Sequence, residues 1–434
     1  MLKSLYLFTA LLILTGVISC QQEPATPLQI VEELNAVDSF KTINGDTAFQ
    51  VTYELWFQQP VDHNNPDLGT FPQKVIYSHK GFDKPVVIVL EGYALYGTGQ
   101  SELCRLLDAN QITIEHRFFD ESRPNDSIPW SNLTVANAAA DQHNVIQAFK
   151  PWYSKKWIST GISKGGQTTI FHRSLYPKDV DVSVPYVAPL NFSATDERVQ
   201  LFLDTVGTAP CRQKIHDFQV ELLERKDVLM PFFEEEAKEN DWEFKMGLDS
   251  AYDLAVFEFS FALWQWVPND CESIPPLDAT NKEIFHYWKT YTGFSFFEQN
   301  SIAPTLPFFF QGMTEIGMYG YDADEFKGYT DMEGMVDFSW TLPKGYENAE
   351  FNPEVMRKVD RWVKNEGDNM LYLYGGQDAW SATAAEPGPE TNAVRLFNPE
   401  KNHSTRIRNY PDHLKDSIYS VLEKWTGVEI GVGE

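Results

Sequence analysis

A serine stands between two glycines in the stretch KWISTGISKGGQTTIFH, residues 156–172, after an apolar run and before a helix pattern. Gly161, Ser163 and Gly165 have the spacing of a strand that turns sharply into a helix with the serine at its tip. A serine hydroxyl is a poor nucleophile at neutral pH. It needs an imidazole base within hydrogen-bond reach, and the base needs an orienting carboxylate. Asp378 follows the apolar run LYLYGG, and His403 follows AVRLFNPEKN. The order Ser, Asp, His is one of the known chain orders for such a triad. His413 is the competing histidine, but it falls in a helix pattern and is expected to face solvent. Attack on an acyl carbon also needs two N–H groups aimed at the developing oxyanion. Lys164, directly after the serine, would supply one. Tyr93, in the turn after VVIVLEG, would supply the other. The plainer alternatives are a glycine-rich turn at Ser163 and an ordinary strand-ending turn at Tyr93.

These loops need strands to carry them. TAFQVTYELWFQQPVDH contains an alternating run that predicts a strand, with FPQKVIYSHK as its hairpin partner. KPVVIVLEGY and QITIEHRFF are short apolar runs, the pattern of strands covered on both faces. LTVANAAADQHNVIQAFKPWY has helical spacing, with Thr134 as a candidate N-cap. The elbow stretch follows, its helix stopped by Pro177, and VDVSVPYVAPL reads as one more strand. Strands alternating with helices predict an α/β fold with a largely parallel sheet. From about Asn191 to Asn369 the chain turns to helix formers and aromatics. RQKIHDFQVELLERKDVLMPFFEEEAKEN predicts a helix broken at Pro231, and SAYDLAVFEFSFALWQWV a buried one. Strand character returns at NMLYLYGGQDAW, and PDHLKDSIYSVLEKW closes the chain as a helix. The expected architecture is an α/β-hydrolase sheet domain, residues 46–190 and 370–434, interrupted by a helical cap over 191–369.

With 35 basic and 62 acidic residues the net charge is −27. That balance argues against nucleic acid and anionic membrane surfaces as partners. Lys3 followed by SLYLFTALLILTGVISC reads as a secretory signal, too short for a stable span. VISC resembles the lipobox of bacterial lipoproteins. By that resemblance residues 1–19 are removed and Cys20 becomes lipid-modified, with residues 20–45 as a tether; an ordinary signal peptide with an incidental cysteine is the alternative. The expectation is an exported envelope lipoprotein that touches the membrane through its lipid alone. Cys211 and Cys271, both near prolines, are the preferred disulfide pair, with Cys104 a buried free thiol. No Cys/His spacing suggests a zinc site, and no cofactor is expected.

Taken together, QPVDHNNPDLGTFPQKV, EGYALY, DANQITIEHRFFDESRP, WISTGISKGGQT, DVDVSVPYVAPL, YGGQDAWSA and NHSTRI resemble the secreted Streptomyces-type prolyl aminopeptidases, serine peptidases that remove tri- or tetrapeptides from N-termini. They are more distantly similar to the lysosomal prolyl carboxypeptidase and dipeptidyl peptidase group. The resemblance runs from about residue 50 to the C-terminus. It implies a capped α/β-hydrolase acting on peptides, with Ser163, Asp378 and His403 as the triad. One departure is Ala379, where the family commonly has proline. A cap would admit only chain ends and short peptides. An aminopeptidase must also hold an ammonium, for which a desolvated carboxylate is the natural partner. Glu315 is the first candidate, with Glu91 and Glu115 as rivals. Trp264, Trp266 and the phenylalanines at 308–310 are candidates for a proline pocket, against plain helix packing. Two other readings stay open: an esterase or acyl hydrolase on the same fold, and a non-catalytic, nutrient-binding surface lipoprotein.

Overall fold

The computed structural model describes residues 26–125, 128–267 and 271–430. The signal segment and Cys20 lie outside the described residues. Among the described residues the main sheet has nine strands. Its first part is an antiparallel meander of β1 (Val37–Ile43), β2 (Val51–Pro60) and β3 (Thr70–His79), with Val51 opposite His79 in the hairpin. β3 also pairs antiparallel with β5 (Asn110–Ile114). From there β5, β4 (Val86–Leu90), β6 (Trp157–Ile162), β7 (Val182–Tyr186), β10 (Met370–Gly375) and β11 (Ala393–Asn398) are parallel.

The continuous apolar runs are explained by what covers them. In β4, Val86, Ile88 and Leu90 join a core with Val145, Ile146 and Phe149 of the helix Val135–Phe149. Val87 points to the opposite face, toward Leu103, Ile418, Leu422 and Trp425. Successive strand residues face opposite sides, so both sets are buried and no polar alternation survives. Thr134 caps the helix Val135–Phe149 by accepting from the Asn137 N–H, as its sequence position suggests.

The chain leaves β4 for β5 on one side and returns to β6 on the other. Connections therefore diverge at the carboxyl end of β4, the position where open α/β sheets hold their ligands.

Three sequence expectations need correction. Residues 27–45 are not a free tether. The helix Pro27–Glu33 buries Ile30 and Val31 against the sheet, and β1 pairs with β2. Their apolar spacing is short and was masked by the polar residues around it. The helical insertion also ends before residue 369. The helix Pro353–Asn365 packs Met356, Val359 and Val363 against Ile170, Phe171, Met370 and Tyr372, so it belongs to the sheet domain. Finally, the helix break falls at Arg225, between Ala209–Glu224 and Lys226–Glu239, and Pro231 sits inside the second helix.

The cap is built around the helix Leu248–Trp266, flanked by Ala209–Glu224 and Asn281–Thr292. It carries a small ribbon, β8 (Tyr321–Asp322) against β9 (Met335–Val336). Its core is aromatic and includes Phe233, Tyr252, Trp288 and Phe294. Phe118, Leu133 and Trp380 of the sheet domain share the same apolar cluster, so the cap is seated on the carboxyl edge of the sheet. Cys211 and Cys271 are bonded, tying the helix Ala209–Glu224 to the segment after the central cap helix, and Cys104 is free and buried. Among the described residues, no helix is long and apolar enough to cross a membrane.

Candidate active site

β6 ends at Ile162 and the helix Lys164–Leu175 begins two residues later, leaving Ser163 at the corner. Ser163 has φ 58° and ψ −123°, a conformation that L-residues adopt only under constraint. Its N–H donates to the Tyr186 carbonyl at 2.9 Å, which fixes the corner to β7. A Cβ at Gly161 would lie 2.1 Å from the Gly165 carbonyl oxygen, so strand and helix could not cross this closely with any other residue there. The turn after β4 is pressed against the same corner: a Cβ at Gly92 would sit 2.5 Å from the Gly165 nitrogen. That contact sets Tyr93 beside the elbow. Burial pushes its phenol above the usual tyrosine range, and the neighbouring Ser163 side chain opposes that rise. The Lys164 N–H opens a helix and has no carbonyl four residues earlier within it. Its side chain turns inward over the Phe119 ring, 5.2 Å from the centroid, and burial holds the amine well below the usual lysine range.

Asp378 follows β10 and is fully buried. One carboxylate oxygen accepts from the Trp380 N–H at 3.1 Å; the other pairs with His403 Nδ1 at 2.8 Å. A buried carboxylate accepts only, so Nδ1 carries the proton and Nε2 is left as the basic nitrogen. Ala379, in place of the proline expected from the family pattern, is buried and opens the short turn Ala379–Thr383, for which Asp378 is the N-cap. His403 lies in the loop after β11, where its N–H donates to the Gln265 carbonyl of the central cap helix at 3.3 Å. The Trp266 ring meets the imidazole edge-on at 5.4 Å. The cap therefore grips the histidine loop directly.

Ser163, Tyr93, Lys164 and His403 line one cavity of about 800 Å³, within the range that holds organic ligands. Glu258, Gln265, Trp266, Phe308, Phe309 and Tyr319 line it as well. Among the described residues no Ser163–His403 hydrogen bond is formed, although both side chains line the cavity. Triad contacts commonly tighten only once substrate is bound.

Several expected binding residues stand elsewhere. Glu315 does not line the cavity: its carboxylate accepts from the Val135 N–H at 2.7 Å and caps that helix. Glu115 is spent on the Leu95 and Ser122 N–H groups and the Ser122 hydroxyl. Trp264 packs over Gly207, away from the cavity. Glu91 does line it, half-buried, and loss of water together with Glu115 pushes its carboxyl up to about 7. His413 is exposed, as its helix position suggests. Sequence reasoning missed Glu258. Its signal was present: it is the one charge within LAVFEFSFALWQW, and a lone acid inside a buried helix demands a partner. No group of three or more potential metal ligands occurs among the described residues.

The model of the PS-10 peptidase S37 family matches residues 28–432. The chain belongs to the peptidase S37 family. It is 34% identical over 382 residues to the prolyl tri/tetrapeptidyl aminopeptidase of Streptomyces mobaraensis, covering 86% of this chain and 80% of that one. A probable serine protease of Arabidopsis thaliana, EDA2, is 23% identical over 152 residues, 30% of this chain and 31% of its own. Among solved structures, the proline iminopeptidase of Mycobacterium smegmatis is 11% identical with a TM-score of 0.37, covering 89% of this chain and 99% of that chain. The S37 chain is thus a serine peptidase with an α/β-hydrolase domain and a helical insertion. The non-catalytic binding reading falls with that assignment.

Proposed function

We propose that this S37 peptidase is an exopeptidase that releases short peptides from the N-termini of its substrates. Ser163 Oγ attacks the scissile carbonyl while His403 Nε2 takes its proton. The Tyr93 and Lys164 N–H groups hold the oxyanion. The C–N bond then breaks, and His403 returns the proton to the leaving amine. Water repeats the sequence on the acyl-enzyme. Asp378 holds the imidazole in one tautomer and steadies the imidazolium. The observation that carries this reading is the buried Asp378–His403 pair, whose imidazole shares a capped cavity with Ser163. Phe308, Phe309 and Trp266 line that cavity with flat apolar surface suited to a pyrrolidine ring, in keeping with the prolyl preference named for the Streptomyces relative.

Mass spectrometry of products from a mixed peptide library is the test, run beside short acyl esters. The expected result is accumulation of short N-terminal fragments, enriched in proline at the cut. Turnover of esters alone would replace the peptidase reading by an acyl hydrolase.

We also propose that the protein is held to the envelope by lipid on Cys20. Cys20→Ala should move it from the membrane to the soluble fraction after export; a variant that stays in the membrane fraction would remove the anchor.

A further inference from the structure

Glu258 sits mid-way along the helix Leu248–Trp266, only 5% exposed, and faces the cavity. Its Oε2 accepts from both the Tyr319 hydroxyl, at 2.9 Å, and the Tyr321 hydroxyl, at 2.7 Å. Oε1 receives no donor among the described residues, and no lysine, arginine or histidine there forms an ion pair with it. Among the described residues two phenols bind one oxygen and none donates to the other. A carboxyl this dry either holds a proton or pairs with a cation.

We propose that Glu258, braced by Tyr319 and Tyr321, receives the ammonium of the substrate's N-terminal residue and so decides that the enzyme takes free N-termini. This rests on the peptidase reading of the same cavity. The charge balance fits. Burial pushes the empty carboxyl up to about 8, close to the range of a peptide α-amine. The pair then needs only one proton between them, whichever partner brings it. Tyr319 and Tyr321 are the titratable groups that bear on the carboxyl, and burial raises both phenols well above their usual range, so they remain donors.

Placement points to release of several residues. From Tyr93, beside Ser163, the wall passes to Phe308 at 5.6 Å between ring centroids, then to Trp380 at 6.5 Å, then to Tyr319 at 5.2 Å. An extended chain advances about 3.3–3.6 Å per residue. An N-terminal segment laid along these rings would place more than one residue between the bound amine and the attacked carbonyl. Glu91, by contrast, is next to the Gly92 turn at the catalytic end, and an ammonium there would suit removal of a single residue.

The test compares free-amine peptides with their N-acetylated forms on the full chain, with active sites counted by phosphonofluoridate labelling. The wild type should prefer the free amine. Glu258→Gln, which keeps shape and removes charge, should lower kcat/KM for free-amine peptides about 10- to 100-fold, mainly through KM. Its loss on N-acetylated peptides should be far smaller, so the preference collapses. Tyr321→Phe should erode the same preference several-fold, and it decides the matter if Gln at 258 does not fold. Retention of the preference in Glu258→Gln, or its loss in Glu91→Gln instead, would overturn the assignment while leaving the peptidase reading intact. A wild type that labels but cleaves no peptide would overturn both.

Discussion

Ser163→Ala is expected to lower kcat on peptides by about 10⁶-fold, with KM nearly unchanged. The hydroxyl contributes little to ground-state binding, since the cavity walls hold the substrate. Its loss removes the covalent route altogether. What survives is the oxyanion donors and positioning, worth about 10³–10⁴ over water. The structure adds a condition. Alanine must adopt the same φ of 58° at the corner, held by the Tyr186 carbonyl, so the strain is unchanged and melting temperature should barely move. A further His403→Ala change in the same chain should cost almost nothing, because the base has no proton left to take. Steady-state kinetics of the single and double variants check both parts. A double variant far slower than either single would mean that serine and histidine act separately.

Asp378→Asn carries the second-largest expected effect, a fall in kcat of about 10⁴-fold, or about 5.4 kcal/mol at the transition state. The carboxylate is fully buried and the imidazole 4% exposed, with 2.8 Å between them. No water can step in for the lost acceptor. An amide can turn its NH₂ toward Nδ1, which would then accept, and the ring would keep its proton on Nε2. The nitrogen facing the serine would be a donor at neutral pH and no base at all. The geometry would survive while the tautomer failed. The pH profile of kcat/KM distinguishes this from simple misfolding: activity should recover in part at high pH, where hydroxide removes the need for the base. A variant within ten-fold of wild type near neutral pH would contradict the role given to Asp378.

The placements that were legible in the sequence share a property. Ser163, Asp378, His403, Tyr93 and Lys164 all fall in turns at the ends of parallel strands, and each turn follows a short apolar run that names its own strand. Local grammar was enough there, because the sheet brings those turns together whatever else the chain does. Glu315 shows the limit. It sits in a conspicuous stretch, QGMTEIG, yet its carboxylate closes the start of a helix 180 residues away in sequence. Only tertiary packing decides between capping a helix and meeting a ligand. Glu258 is the converse case: an ordinary letter in an aromatic helix that becomes a cavity wall once the cap is seated. The helix Pro353–Asn365 was misassigned for a similar reason, since helix periodicity says which face is apolar but not which core that face joins.

The cap is more than a filter. The Gln265 carbonyl holds the His403 N–H, and Trp266 stands against the imidazole edge. A helix that selects substrate by Glu258 also steadies the base about two turns further along. Recognition and proton transfer are thus mounted on one rigid element.

The central claim is that Ser163, His403 and Asp378 act as one unit in this cavity. Phosphonofluoridate labelling, located by peptide mass spectrometry and timed in wild type and His403→Ala, tests it most directly. A single adduct on Ser163 is expected, forming about 10²–10⁴-fold more slowly without the imidazole. An adduct on any other residue, or labelling of Ser163 at an undiminished rate in His403→Ala, would contradict it.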